Sequence, residues 1–425
     1  MTTVQTQAPS RARYWVVVFS VTLAILAYID RVAISKAAPF IMEELSMTKA
    51  DMGRVFSAFA LAYALAEIPG GWLGDAMGPR KVLMRIVIWW SAFTASVTVM
   101  WSATALWINQ FLFGAGEAGC FPNLTKSMTI WLTQKERVRA QGIMWMSARW
   151  GGAVTPLLFA ALFQIMPWRA VFIVFACLGG VWAILFYRWF RDDPATHPSV
   201  NEAERELLAP NRNLAGGHGN VPWGKLIRSR SVWMLWAQYF LVSYPWYFYI
   251  TWLSTYVKEY RGIEGEIMGG VYAVFPLLFG GVGCLVSGFM IPRLAKVVGS
   301  VGKARQVMAT TGFVGAGLFL VLCMKMNDPL LGMLAMGMSS FCNDLTVPCA
   351  WATCMDIGGK YAGTLSGSMN MMGNMAGFVA PQVGGMILQE TKDWNLFITT
   401  MAASYFIGAL CWPLIRPTQP LEENS

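Results

Sequence analysis

The stretch 15–37, WVVVFSVTLAILAYIDRVAISKA, is apolar at nearly every position, yet Tyr28-Ile29-Asp30-Arg31 interrupts it about two-thirds of the way along. A helix of about 20 apolar residues crosses the hydrocarbon core of a bilayer. An acid or a base at that depth costs roughly 2.5–3.5 kcal/mol on insertion scales, so it faces a partner or a watery cavity rather than lipid. A second acid, Glu117, lies inside the fourth apolar segment. These charges are expected to line a path for an anionic solute and a proton.

Composition points the same way. The chain has 425 residues, 56% hydrophobic and 13% charged, whereas soluble domains run near 25% charged. This excludes a string of soluble domains. The eight cysteines have no CxxC spacing and lie mostly in apolar segments, where Cys behaves as a small hydrophobe. Neither a disulfide framework nor a metal site is expected. The only histidines, His197 and His218, share one polar loop, which argues against His-based catalysis.

Twelve apolar segments are long enough to span, roughly 15–37, 52–73, 82–103, 107–131, 139–163, 169–190, 231–257, 267–290, 305–325, 329–354, 362–388 and 394–415. The expected architecture is an all-α membrane protein of twelve transmembrane helices in two pseudo-symmetric six-helix bundles. A tail (1–14) precedes a bundle (15–190). A linker (191–230) with Asp192, Asp193, Pro194, Pro198, Gly216 and Gly217 leads to the second bundle (231–415) and a closing tail (416–425). With both termini on the cytoplasmic side, that side carries 21 Lys and Arg against 8 opposite, the bias expected of cytoplasmic loops. The halves echo each other. SARWGGAVTP in segment five answers NMMGNMAGFVAP in segment eleven, and each follows a segment with a buried acid, Glu117 or Asp344. Transporters built from such repeats place their site near the bilayer midplane.

The run Gly71-Trp72-Leu73-Gly74-Asp75-Ala76-Met77-Gly78-Pro79-Arg80-Lys81 resembles the signature loop of the major facilitator superfamily. Its glycines permit a tight turn, Asp75 can accept from a helix N-terminus, and Arg80 and Lys81 favour the cytoplasm. YIDR, FSAFALAYALAEIPGGWLGD, FGAGEAGCFPN, YPWYFYITWLSTYVKEYRG and WATCMDIGGKYAGTLSGSMNMMGNMAGFVAP are similar to the anion:cation symporter branch, which includes sugar-acid/proton symporters and the sialic acid and vesicular glutamate transporters. The resemblance implies a gating role for Gly71, Asp75 and Arg80. It implies proton handling by Asp30 and Glu117, a buried cation at Arg31, which contacts substrate or gates or else pairs with a buried acid, and positions near the substrate for Tyr28, Tyr63 and Asn374. Sugar-acid relatives usually carry an Arg seven residues before the segment-four Glu, where this chain has Gln110; Glu67, Arg149, Asn343 and Asp344 are further departures.

Spacing adds to these assignments. Tyr28 and Arg31 share a helix face, as do Tyr63 and Glu67. The guanidinium fork of Arg31 matches a carboxylate. Desolvation disfavours a charged carboxylate at the depth of Glu117, which suits a proton carrier; the alternative is a permanent ion pair with Arg149 or Lys126. Arg149 is the candidate to replace the missing segment-four Arg. Lys126 is expected to snorkel. Tyr244, Tyr247 and Phe248 are spaced to share a face and are candidate cavity walls.

The expected function is secondary active symport of a small organic anion (a sugar acid or other carboxylate) with protons, by alternating access. Uniport, anion exchange or sodium coupling are the alternatives, and a receptor that binds without transporting a remoter one. Nothing resembles a nucleophile–base pair, so no enzyme is expected. No cofactor or metal is expected beyond the proton gradient, and the partners are the substrate anion, protons and the lipid bilayer, not nucleic acid. The chain is expected as a monomer in a bacterial inner membrane.

Overall fold

The computed structural model describes residues 8–214, 220–263 and 266–421. Gly216 and Gly217 of the linker and the outer ends of both tails lie outside the described residues. Among the described residues the elements are helical: α1 (Tyr14–Glu44), α2 (Lys49–Met77), α3 (Pro79–Ser96), α4 (Ala103–Glu117), α5 (Cys120–Trp131), α6 (Gln134–Ile165), α7 (Trp168–Trp189) and the short linker helices α8 (Glu202–Leu208) and α9 (Trp223–Arg228). Then follow α10 (Arg230–Thr251), α11 (Leu253–Glu259), α12 (Glu266–Val298), α13 (Val301–Lys325), α14 (Pro329–Gly358), α15 (Ala362–Thr391) and α16 (Trp394–Cys411).

All twelve expected segments fall on helices, but two are broken. Segment four divides at Ala118-Gly119, where Gly119 takes φ 82°, a left-handed conformation that glycine adopts without steric cost. Segment seven divides at Trp252. Among the described residues, eight candidate spans meet both length and apolarity, one of them, 329–391, comprising α14 and α15 together. The pieces of the broken segments and the charged start of α6 fall short by composition or length. The helix α7 shows why water is the wrong solvent. Phe172, Phe175, Trp182 and Phe186 are buried, while Ile173, Val174, Leu178, Val181, Ile184 and Leu185 are exposed. A helix apolar on every side belongs in lipid or a large core.

The chain forms two compact units. One comprises 1–140, 154–221 and 354–367; the other comprises 141–153, 222–353 and 368–425. Each unit thus takes a short piece of α6 or of the α14–α15 corner from the opposite half of the sequence. In the first unit, Ile34, Ala37, Ile41, Phe159, Phe172 and Phe175 form a buried core.

The piece 354–367 is held in the first unit by charge. Asp75 is fully buried. It accepts from Gly363 N (3.1 Å), Thr364 N (2.6 Å) and Thr364 Oγ1 (2.7 Å), capping the α15 N-terminus from another helix. Lys126 Nζ lies 3.3 Å from Asp75 Oδ1 and donates to Lys360 O. Lys126 therefore does not snorkel; its side chain is 1% exposed. Gly71 and Gly363 let the backbones touch, since a Cβ on either would strike the other's carbonyl. Arg137 pairs with Asp356 in the same region. Arg80 does more than mark a loop. It donates from Nε and Nη2 to Tyr187 O, closing the end of α7 where carbonyls lack partners.

The linker is tied in as well. Glu204, fully buried, accepts from Ser10 Oγ, from Ala12 N and Arg13 N, and from Arg13 Nη1 at 2.7 Å. His197 is buried beside the Trp131 and Trp189 rings, with centroids 5.4 and 4.7 Å away. Burial holds its imidazole below the ordinary histidine value.

Two outcomes follow from these contacts. Asp75→Asn leaves Lys126 buried without its counter-charge and should cost about 3–5 kcal/mol, whereas Asp75→Asn with Lys126→Met should recover most of that loss; thermal unfolding in detergent measures both. His197 binds its proton more weakly folded than unfolded, so its contribution is present above the unfolded value of about 6.5 and lost as pH falls below it. Protease cleavage within 194–214 should rise between about pH 7.5 and 5.5, and His197→Gln should flatten that rise.

Candidate functional site

Each unit holds a buried polar cluster that includes sequence-predicted site residues. In the first, α1 supplies Tyr28, Asp30 and Arg31, α2 supplies Phe59 and Tyr63, α4 ends on Glu117, and α5 begins with Cys120 and Phe121. Arg31 Nε donates to Glu117 Oε1 at 2.7 Å. The Glu117 side chain is 1% exposed and that of Arg31 24%. Four rings surround the guanidinium: Tyr63 at 4.5 Å, Phe59 at 5.5 Å, Tyr28 at 5.6 Å and Phe121 at 5.7 Å. Such rings favour a cation through their negative faces. The backbone permits this geometry because Gly114 on α4 presses on the α2 backbone at Phe59, and because the break at Gly119 turns Glu117 into a helix terminus. Discontinuous helices line the sites of many carriers in just this way.

The cluster is incompletely satisfied. Asp30 Oδ1, Arg31 Nη2, Tyr63 Oη and Glu117 Oε2 are buried and find no hydrogen-bond partner among the described residues. Buried polar atoms are nearly always bonded, and leaving one unbonded costs about 1–3 kcal/mol. Four such atoms lie in this one cluster. Asp30 forms no ion pair among the described residues, and Glu117 is within its electrostatic reach. It is thus a lone acid beside an occupied ion pair. Glu117 pairs with Arg31 rather than with Arg149 or Lys126.

In the second unit, Arg149 meets Asp344. Nε donates to Oδ2 at 2.8 Å and Nη2 to Oδ1 at 3.0 Å. The Trp246 ring lies 3.3 Å from the guanidinium carbon. Asn343 Nδ2 donates to Asp344 Oδ1 at 2.8 Å, and Tyr405 Oη donates to Asn343 Oδ1 at 3.0 Å. Tyr247 Oη donates to Asn374 Oδ1 at 2.8 Å, so these two expected substrate residues do come together. Tyr244 turns away, toward Thr400 Oγ1 at 3.2 Å, and Phe248 is fully buried against Phe397, Tyr256 and Tyr249. Glu67 is fully buried on α2, its carbonyl against Gly367.

Phe59 and Phe121 went unnoticed in the sequence. The i, i+4 spacing of Phe59 and Tyr63 was a usable signal; nothing local marks Phe121. Trp246 was one aromatic among several and nothing distinguished it.

The sequence profile of the Major Facilitator Superfamily matches residues 21–381. The chain is 34% identical, over 92% of its length and 91% of the relative's, to a probable sulfoacetate transporter of Cupriavidus necator. It is 28% identical to a probable L-galactonate transporter of Escherichia coli, over 94% and 88% of the two chains. It is 24% identical to a hexuronate transporter of Bacillus subtilis, over 96% of each. Its fold is that of the E. coli fucose:proton symporter (TM-score 0.68, 14% identity, 94% and 99% coverage). It is also that of the human organic anion transporter MFSD10 (TM-score 0.70, 16% identity, 96% and 100%). With a profile match over residues 21–381, relatives named as transporters and a helical fold to suit, the chain belongs to the Major Facilitator Superfamily and is a multi-pass membrane transporter, not an enzyme.

Proposed function

We propose that this chain carries a small organic anion across a bacterial inner membrane together with protons, by alternating access, as a monomer with cytoplasmic termini. The observation that carries the reading is the Arg31–Glu117 pair, ringed by aromatics, with the lone acid Asp30 beside it. Arg31 offers a fork that a carboxylate or sulfonate oxygen pair can fill. When an anion takes Arg31, the charge on Glu117 is left in a medium of low dielectric, where an unpaired charge is costly. A proton on Glu117 removes that cost, so anion and proton enter together. Asp30 is the second acid through which that proton reaches or leaves Glu117.

The relatives support the anion class. The 34%-identical relative is named for sulfoacetate, and others for galactonate and hexuronate. Gln110 in place of the usual segment-four Arg removes a cation from the sugar-acid pattern, which favours a short acid over a sugar acid.

The deciding experiment is uptake into proteoliposomes of labelled sulfoacetate, galactonate, a hexuronate and an aromatic carboxylate, with and without an inward proton gradient. Accumulation of one acid only with the gradient is expected; equal uptake without it, or dependence on sodium, would replace the proton reading. Glu117→Gln should abolish uphill accumulation while sparing exchange of substrate across the membrane. Arg31→Lys keeps the charge but loses the fork, and should raise KM roughly tenfold or more; an unchanged KM would remove Arg31 from the substrate site.

A further inference from the structure

We propose that Arg149 and Asp344 form a second anion–proton exchange element, in which an acidic group of the carried solute takes the place of Asp344 on Arg149 while Asp344 takes up a proton. This rests on the reading that the chain carries an organic anion, and adds to it a second coupling pair in the other unit.

The pair is sealed. Its side chains are 5% and 0% exposed, and the guanidinium grips both carboxylate oxygens. Stability alone is a poor reason to keep it, because apolar residues of similar volume serve as well or better at such places. Its geometry is that of a receptor already loaded with a resident acid. Trp246 covers one face of the guanidinium and so fixes its plane, leaving the fork edge to whatever oxygen pair lies opposite. Asp344 fills that place now; a carboxylate or sulfonate presents the same two acceptors.

Asp344 also has support of its own. Asn343 Nδ2, whose amide oxygen accepts from Tyr405 Oη, donates to Asp344 Oδ1, the oxygen that also takes Arg149 Nη2. Ser340, whose hydroxyl donates to Pro276 O at 2.7 Å, and the bare Gly280 border it, and a side chain at Gly280 would strike both Asp344 and Ser340. The carboxyl can thus stay in place when Arg149 changes partner. The titratable groups that face it are Arg149 from α6, Tyr249 from α10, Cys284 from α12 and Tyr405 from α16.

The charge balance fixes the step. The resident pair is neutral. A proton binds Asp344 Oδ2, the Arg149 Nε–Oδ2 and Nη2–Oδ1 bonds break, and two new bonds form from Arg149 to the entering anionic group. One negative and one positive charge have entered, and the element is neutral again. Release reverses the step. A cycle that works both pairs takes in two protons with two anionic groups, so a solute with two acidic groups brings in one more proton than the Arg31–Glu117 pair alone would.

The test is the proton-to-anion ratio, read from the reversal potential of substrate-driven flux in proteoliposomes, with KM beside it. Asp344→Asn and the apolar double variant Arg149→Met/Asp344→Leu are compared with the parent chain; thermal unfolding in detergent confirms folding, and the double variant decides where the single one does not fold. With an acid that carries two acidic groups, such as sulfoacetate, the expected result is a folded double variant with one proton fewer per anion and KM raised roughly tenfold or more. An unchanged ratio and KM in that variant would make the pair a structural clamp and overturn the proposal. Failure of the parent chain to move any acid of the panel would instead overturn the transport reading itself.

Discussion

A charge taken out of water must be met by another charge or by aligned dipoles, and this chain is arranged around that necessity. Glu117 is met by Arg31, Asp344 by Arg149, and Asp75 by Lys126 together with the N-terminus of α15. Each match draws together helices far apart in sequence. Without the charges, the same helices would have little reason to choose one another, because apolar surfaces gain little from one another over lipid. The polar pairs choose the neighbours, and small residues such as Gly71, Gly114 and Gly363 let the backbones come close enough for the pairs to form.

The two clusters divide the work differently. The one around Arg31 is ringed by aromatics and contains buried polar atoms with no partner among the described residues. The one around Arg149 is closed by its own acid. The pair at Asp75 is a third type, a structural tie that fastens the start of α15. Identical chemistry, a cation against a carboxylate, thus occurs in three settings that differ in how many of its hydrogen bonds are already filled.

Much of the fold was legible because hydropathy is additive along a chain. Twelve apolar runs fall on helices, and Gly-Pro at 78–79 marked the turn between α2 and α3. The breaks at Gly119 and Trp252 were not legible, since hydropathy does not register one residue turning left-handed within an apolar run. The site was half legible. A buried charge announces itself, and spacing tells which face of its helix it occupies, but neither tells which helix that face meets. Arg149 and Glu117 looked like partners by depth and sequence proximity, and each found another. Lys126 reads as a snorkelling residue because it lies near the cytoplasmic end of its segment, but its partner Asp75 lies on another helix at 51 residues' separation.

The bond from Gly363 to Asp75 joins residues 288 apart, and this dictates an order of manufacture. Residues 1–221 emerge and enter the membrane while the piece 354–367 that completes their unit has yet to be translated. At roughly 5–20 residues per second, the first unit waits many seconds with its Asp75 pocket open. The piece 141–153, made early, waits likewise for the helices it will join. Neither unit is a finished object until nearly the whole chain exists, so a nascent chain halted in its second half is a substrate for quality control rather than half of a working protein.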